Sequence, residues 1–184
     1  MTMAIAAGIL GTIGTAGLRA DDDEEKQKID CSDTDLGFSA TGYDVTCTDL
    51  SKGTINVDEV LAGVRAHKLV AESHAEATFL VVIDNRPLGN RIYLGRHSLE
   101  DDVQNYFSGG AFSDWAPGTS VGQFEVENFT GEMKDGAVLE CIAFRHQGAR
   151  RYEGLARLVV GLACSARGRE HDYDALKHLD APSG

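Results

Sequence analysis

The stretch LECIAFRHQGARRYEGLARLVVGLACS, residues 139–165, carries the strongest fold signal of the chain. Two apolar runs enclose a middle that is rich in glycine and arginine, which is typical of two antiparallel strands and their turn. Cys141 and Cys164 stand near the outer ends of the two runs. The stretch therefore predicts a β-hairpin that a disulfide could close.

The two cysteines also set the register of this hairpin. If they are cross-strand neighbours, Ala143 faces Leu162 and Arg145 faces Val160. Both faces of the two strands are then mostly apolar, which is typical of central strands that are covered on two sides. We therefore expect the disulfide to lie in the core.

The fold class predicted for the chain is α+β: a mostly antiparallel sheet with a C-terminal three-stranded meander, two to three helices and two disulfides. Alternation of apolar and polar residues predicts the strands of the meander at 123–129, 137–144 and 155–165. Further strands are predicted at 43–50, 78–84 and 91–95. The last two are expected to form a hairpin, because the segment between them contains Pro87 and Gly89.

Capping patterns predict the helices. Asn56, with Glu59 three residues later, has the spacing of a capping box. The apolar residues that follow have helical spacing: Val57, Val60, Leu61 and Val64. We therefore expect an amphipathic helix from about residue 57 to at least residue 67. Ser98 and an acidic first turn predict a second helix at 99–107, and a short surface helix is expected to end at Asp180.

The four cysteines fall into two local pairs, Cys31 with Cys47 and Cys141 with Cys164. Neither pair has the close spacing of a zinc knuckle or of a C-x-x-C redox centre. Two disulfides are the expected state in an oxidising compartment, and local closure favours these pairings among the three possible connectivities. Free buried thiols are the alternative if the chain is not exported.

The N-terminal region predicts export. Residues 4–18 are apolar and small, and they are followed by an acidic run, which is typical of a signal peptide with cleavage after Ala20. A glycine-rich buried helix or an uncleaved anchor is the alternative. The mature chain has no other apolar stretch long enough to span a membrane, so we expect a periplasmic or secreted protein. The predicted organisation is a signal peptide at 1–20, a disordered acidic N-terminus at 21–30, a single domain at 31–180 and a C-terminal tail at 181–184.

The charge distribution is uneven. The whole chain carries a formal net charge of −12, which disfavours binding to nucleic acid and to anionic membrane surfaces. Residues 137–169 nevertheless hold six arginines against Glu140 and Glu153. The protein is thus acidic with one basic segment.

That basic segment contains the predicted ligand-binding residues. Guanidinium groups near the hairpin tip could bind a carboxylate or phosphate through paired hydrogen bonds. The candidates are Arg145, Arg150, Arg151, Tyr152 and Arg157. Trp115 is a further candidate because it lies in the aperiodic stretch 108–123; the alternative is that it fills the end of the core. The alternative for the arginines is that they neutralise the acidic N-terminal region or are solvated.

Catalytic and metal-binding patterns are weak. Gly118–Gly122 matches G-x-S-x-G around Ser120, but a strand rather than a helix is predicted after it, which is the wrong context for a serine-hydrolase elbow. Neither the acidic residues near Asp30 nor the histidines have the spacing of a calcium loop or a helical zinc site. We therefore expect no cofactor and a non-catalytic domain that binds an envelope protein or a small anionic ligand. An exported hydrolase with a site near 108–123 is the alternative.

Overall fold

A computed structural model of the protein describes most of the chain after residue 26. The described residues are 27–51, 55–57, 60–75, 77–88, 94–95, 97–107, 110–133, 136–151, 154–166 and 173–181. The predicted signal peptide and residues 21–26 lie outside these ranges. The predicted disordered stretch 21–30 is wrong at its end, because Gln27–Ile29 forms a strand that pairs with Asp44–Asp49.

One antiparallel sheet dominates the fold. Its strands are β1 (Gln27–Ile29), β3 (Asp44–Asp49), β4 (Ile55–Val57), β5 (Val60–Ser73), β6 (Thr78–Leu88), β7 (Gly110–Pro117), β8 (Glu125–Met133), β9 (Val138–Gln147) and β12 (Leu158–Ala166). Eight of them lie side by side in the order β1-β3-β5-β6-β12-β9-β8-β7, and β4 pairs with β5. All of these neighbours are antiparallel.

The remaining elements are short. They are β2 (Gly37–Phe38), β10 (Arg150–Arg151), β11 (Gly154–Leu155), β13 (Leu179–Asp180), the helices α1 (Leu99–Tyr106) and α2 (Tyr173–Lys177), and a 3₁₀ turn at Cys31–Asp33. Strand β2 pairs with β13, and β10 pairs with β11. The described chain is therefore mostly β, with less helix than the predicted α+β class implies.

The predicted register of the hairpin is confirmed. Cys141 is the cross-strand partner of Cys164, Ala143 of Leu162, and Arg145 of Val160. Strand β12 lies between β6 and β9, so it is a central strand as expected.

Both predicted disulfides are present, Cys31–Cys47 and Cys141–Cys164. The second is buried inside the sheet's core, and the first closes the segment that holds the 3₁₀ turn and β2. Disulfides persist in oxidising surroundings and are rare in the cytosol, so these two indicate an extracytoplasmic environment.

Each face of the sheet buries its own hydrophobic cluster. On one face, here called the α2 face, Val82, Ile142 and Phe144 pack with Ala175 and Leu176 of α2. On the other, the α1 face, strand residues pack with three residues near α1: Leu99, Val103 and Phe107. The central strands are thus covered on both sides, which explains their nearly continuous apolar sequence.

The helix predicted at 57–67 is wrong. Strand β4 ends at Val57, β5 begins at Val60, and these two residues pair with each other across a hairpin. The apolar residues that fit a helical period are mostly valines, which favour strands. Both faces of β5 carry apolar and charged residues, Arg65 and Leu69 on one and Lys68 and Val70 on the other, so the strand shows no alternation that would have identified it.

Two further predictions are corrected. The hairpin predicted between 78–84 and 91–95 does not form, because β6 pairs with β5 and β12; residues 91–93 lie outside the description. The aperiodic stretch 108–123 contains the edge strand β7, whose alternation is interrupted by a register shift between Ser113 and Ala116. The predicted strands 43–50 and 78–84 are confirmed as β3 and β6.

Both remaining helix predictions are confirmed. Ser98 caps α1, and its side chain and that of Asp101 form a reciprocal capping box. The C-terminal helix α2 is shorter than expected, because Leu179 and Asp180 leave the helix and pair with β2.

Candidate functional site

The predicted arginine cluster is divided between the two faces of the sheet. Arg145 lies on the α1 face, where it contacts Asp102 of α1, whereas Arg157 contacts Asp84 on the α2 face. Successive side chains of a strand point to opposite faces of the sheet. Residues 145 and 160 are cross-strand partners and share a face. Arg157 is three positions from residue 160, so it lies on the other face. The two side chains therefore cannot act on one ligand.

Arg145 anchors α1 to the sheet. Its Nε lies 2.8 Å from Glu125 Oε2, its Nη1 lies 3.2 Å from Asp102 Oδ2, and Nη1 also donates to the carbonyl oxygen of His97. Only 12% of the Arg145 side chain is exposed. Burial raises the pKa of the Asp102 carboxyl, and the nearby guanidinium of Arg145 offsets this in part. Arg145 is thus committed to internal contacts.

Arg157 fixes the base of the hairpin. Its Nε donates to Asp84 Oδ1 at 2.7 Å, and its Nη2 donates to Asp84 Oδ2 at 3.0 Å. Both residues are only 2% exposed. The two parallel hydrogen bonds fix the geometry of this buried ion pair, and no water is available to replace either partner. It therefore holds the start of β12 rigidly against β6.

The ribbon of β9 and β12 continues beyond the sheet to the hairpin tip. Gly148 N donates to the carbonyl of Arg157, and Ala156 N donates to that of Ala149. Arg150 then pairs with Leu155, which is buried and bridges to Leu94. The strand segments that lead to the tip are thus held in place by backbone hydrogen bonds and by the buried Leu155.

Of the predicted tip residues, Arg150 is exposed. Within the described ranges it forms no ion pair. The side chain of Arg151 and all of Tyr152 lie outside the description.

Two arginines that sequence reasoning did not select lie next to Arg157. Arg65 of β5 and Arg86 of β6 are direct cross-strand partners. Strand β12 pairs Leu158 with Asn85, so Arg157 stands opposite Arg86 one position further along. Arg65, Arg86 and Arg157 therefore form a line across three neighbouring strands, here called the arginine row.

The arginine row changes from buried to exposed along its length. Arg157 is buried, the Arg86 side chain is 31% exposed, and Arg65 is exposed. Like charges that face each other directly across strands repel. The row therefore brings three positive charges together at one end of the α2 face.

Carboxylates balance part of this charge. Asp84 Oδ2 lies 3.3 Å from Arg86 Nε, close enough for an ion pair, although Nε has no hydrogen-bond partner in the described structure. Arg86 Nη2 lies 2.7 Å from Asp35 Oδ2, in the segment closed by Cys31–Cys47. Asp84 and Asp35 thus supply negative charges to Arg157 and Arg86, and Asp49 lies close enough to Arg65 for the two charges to interact.

Next to the arginine row, His67 of β5 and Asp49 of β3 are cross-strand partners. His67 is buried and pairs across strands with both Asp49 and Asp84. Partial burial is the largest influence on the pKa of Asp49 and raises it, but hydrogen bonds from Ser51 and the charges of His67 and Arg65 together bring the pKa below its usual value. Asp49 therefore stays ionised beside the row.

Trp115 lies on the α1 face, away from the arginine row. Its ring stacks on Phe129 at a centroid distance of 4.6 Å, and Phe112 meets Phe129 edge-on at 5.5 Å. The Trp115 indole N–H has no hydrogen-bond partner within the described residues. The ring contributes to the cluster around the Cys141–Cys164 disulfide, and its predicted ligand-binding role stays a prediction.

Ser120 is exposed in the connection between β7 and β8. The segment that follows it leads into strand β8, so the G-x-S-x-G pattern here does not have the strand, turn and helix of a nucleophile elbow. Among the described residues there is also no group of three or more His, Cys, Asp or Glu side chains that could hold a metal ion.

Comparisons with known proteins give no family for the chain: no protein-family model, no curated protein and no solved structure matches it. In the part of the chain that the structure describes, no helix has the length and apolar character needed to cross a membrane.

Arg65 and Arg86 were missed because their proximity depends on the pairing of β5 with β6. Arg65 fell in the helix predicted at 57–67, and Arg86 fell in the turn predicted at 85–90. Once β5 and β6 are recognised as a hairpin, their register alone places the two arginines opposite each other. The sequence signal was thus present but assigned to the wrong elements.

Proposed function

We propose that the protein is an exported, non-catalytic binding domain that recognises an anionic group, on an envelope protein or a small ligand, through a basic surface. The candidates for this surface are the arginine row on the α2 face and, separately, the hairpin tip with Arg150, to which the sequence adds Arg151 and Tyr152. The chain would work in the periplasm or outside the cell, as its two disulfides and its signal-like N-terminus both favour.

The observation that carries the proposal is the direct opposition of Arg65 and Arg86 next to Arg157. Placing like charges side by side costs stability, and none of the three is needed to fill the hydrophobic core. An oxyanion bound between exposed guanidinium groups would remove this repulsion and gain hydrogen bonds from planar, fork-shaped donors. Anion binding therefore gives the exposed Arg65 and the partly exposed Arg86 a role that packing does not.

The overall charge of −12 is compatible with this role. Charges more than about 8 Å apart are largely screened at physiological ionic strength, so an anion that has reached the row is affected mainly by the nearby arginines. The acidic remainder of the surface slows the approach of anions and disfavours polyanions such as nucleic acid. The partner is accordingly one with a localised negative group.

The hydrolase alternative has less support. Ser120 is exposed, and a strand follows the segment that contains it. We therefore do not propose a catalytic function for 108–123.

The test removes two positive charges from the arginine row and compares the result with removal of two elsewhere. The variant is Arg65→Ala with Arg86→Ala, and the matched control is Lys28→Ala with Lys177→Ala on β1 and α2, where both lysines are exposed. Binding of phosphate, of citrate and of an acetylated Asp-containing peptide is measured by NMR titration at low ionic strength. Weaker binding in the arginine variant alone supports the proposal, and equal binding in wild type and both variants removes its basis.

A further inference from the structure

We infer that the Asp35 carboxylate takes the place of the ligand at Arg86 in the free protein, and that a carboxylate of the partner displaces it. This inference rests on the proposed function, because it names the chemical group that the arginine row binds and the contact that restrains binding.

The contact between Asp35 and Arg86 is exposed enough to be exchanged. Their side chains are 49% and 31% exposed, and Asp35 Oδ2 lies 2.7 Å from Arg86 Nη2. Exposed ion pairs of this kind contribute little to stability. The pair formed by Arg157 and Asp84 has two hydrogen bonds and no solvent access, so it would remain when Asp35 leaves.

The backbone around Asp35 is fixed, so only its side chain has to move. Thr34 Oγ1 donates to the carbonyl of Leu36 and accepts from Leu36 N, and the Leu36 side chain is buried in the core. The Cys31–Cys47 disulfide and the pairing of β2 with β13 close the segment on either side of this point. A rotation of the Asp35 side chain would therefore open Arg86 without unfolding the loop.

The freed Arg86 would offer donors that match a carboxylate. Its Nη2 would lose the contact to Asp35 and become available, while its buried Nε would stay beside Asp84 Oδ2. Exposed Arg65 stands directly opposite and adds a second positive charge. Because the group now in place is a peptide carboxylate, the ligand class that fits is an acidic peptide segment.

Occupation of Arg86 by Asp35 predicts a measurable restraint on binding. The apparent dissociation constant equals the intrinsic one divided by the fraction of molecules in which Arg86 is open. If Asp35 occupies Arg86 in about nine molecules of ten, removing its charge tightens binding about tenfold.

The experiment uses the disulfide-bonded protein and the acetylated, amidated peptide SDTDLG, which copies residues 32–37. Its affinity is measured by NMR titration for wild type, Asp35→Asn, Arg86→Gln and the matched control Asp33→Asn. Asp33 is an exposed carboxylate of the same loop, so the control removes the same charge from nearly the same place. A peptide with asparagine at both acidic positions and inorganic phosphate serve as comparison probes.

We expect Asp35→Asn to bind SDTDLG about tenfold more tightly, Asp33→Asn to stay within about twofold of wild type, and Arg86→Gln to lose binding. Equal tightening in both asparagine variants, or none in Asp35→Asn, overturns the inference. Tighter binding of phosphate than of the peptide overturns the choice of a carboxylate ligand. If wild type binds but Asp35→Asn is no tighter, only this inference fails. If no variant binds any anion, the proposed function fails with it.

Discussion

Arg145 and Arg157 belong to the same β-hairpin but lie on opposite faces of the sheet, each bound to an aspartate that comes from a different part of the chain. Arg145 holds Asp102 of α1, and Arg157 holds Asp84 of β6. The hairpin is therefore held in place on both faces of the sheet, and the exposed Arg150 lies beyond these two contacts.

Replacing Asp84 by alanine should destabilise the protein strongly. Arg157 would then be buried without its carboxylate, and loss of one member of a buried ion pair costs about 3 to 5 kcal/mol. Replacing both members by apolar residues, as in Asp84→Leu with Arg157→Met, should recover part of that loss, because Arg86 Nε also loses its contact with Asp84 Oδ2. Urea unfolding measures both. A free energy of unfolding for Asp84→Ala within about 1 kcal/mol of wild type contradicts this account of the hairpin base.

Gly161 should not tolerate alanine. A Cβ at this position would press against the Phe144 ring and lie 2.6 Å from the Val81 carbonyl oxygen, which is held in the sheet. Overpacking of this kind costs about 1 to 3 kcal/mol. The control is Gly37→Ala, whose Cβ would make an ordinary 3.4 Å contact with Asp180. Thermal unfolding should show a large decrease for Gly161→Ala and little change for the control; similar melting temperatures for both would count against the packing described for β9, β12 and β6.

Glycine in place of Ala77 should stabilise the protein. Ala77 adopts a φ of 50° between β5 and β6, a left-handed conformation that costs an L-residue about 1 to 2 kcal/mol. Glycine adopts it freely, although it also raises the entropy of the unfolded chain. A net gain of about 0.5 to 1 kcal/mol is expected from urea unfolding. Ala116→Gly, in strand β7, is the control and should lower stability; a loss at both positions would show that the β5–β6 turn is not left-handed at Ala77.

Asp102 should make the stability of the protein fall as pH rises. Burial raises its pKa in the folded protein above the unfolded value, so between those two values the folded state binds more protons than the unfolded state. The stabilisation from this group is complete below the unfolded pKa and is lost as pH rises through the folded one. Asp102→Asn removes that dependence, while Arg145 keeps Glu125 and the His97 carbonyl.

Urea unfolding of wild type and Asp102→Asn across the acid range measures this effect. The free energy of unfolding of wild type should decline relative to that of the variant as pH rises. A wild type that instead gains stability relative to Asp102→Asn over the same range would show that the pairing with Arg145 outweighs burial.

The hairpin and its disulfide could be predicted because everything that determines them is local. The two cysteines, the apolar runs and the turn lie within 139–165, so one assumption, that Cys141 faces Cys164, fixes every pair. The capping box of α1 is equally local, with Ser98 and Asp101 three residues apart. Interactions of this range are encoded in short stretches of sequence.

The arginine row could not be predicted in the same way. Arg65, Arg86 and Arg157 meet only because β5, β6 and β12 are adjacent in the sheet, and β12 follows β6 across a long sequence separation. The valines of 57–64 fit a helical period by coincidence, and that assignment removed Arg65 from consideration. Asp35, which balances Arg86, comes from a segment that the Cys31–Cys47 disulfide folds onto the α2 face.

The central claim is that the protein binds an anionic group at the arginine row on the α2 face, with the hairpin tip as a second, separate candidate. The most direct measurement follows the arginine side-chain Nε–H signals of isotopically labelled wild-type protein during titration with the acetylated peptide SDTDLG. Saturable shifts are predicted at Arg86 and Arg150, with none at Arg145, whose guanidinium is enclosed on the α1 face. Shifts at Arg145 as large as those at Arg86, or no saturable shift at any arginine, would contradict the claim.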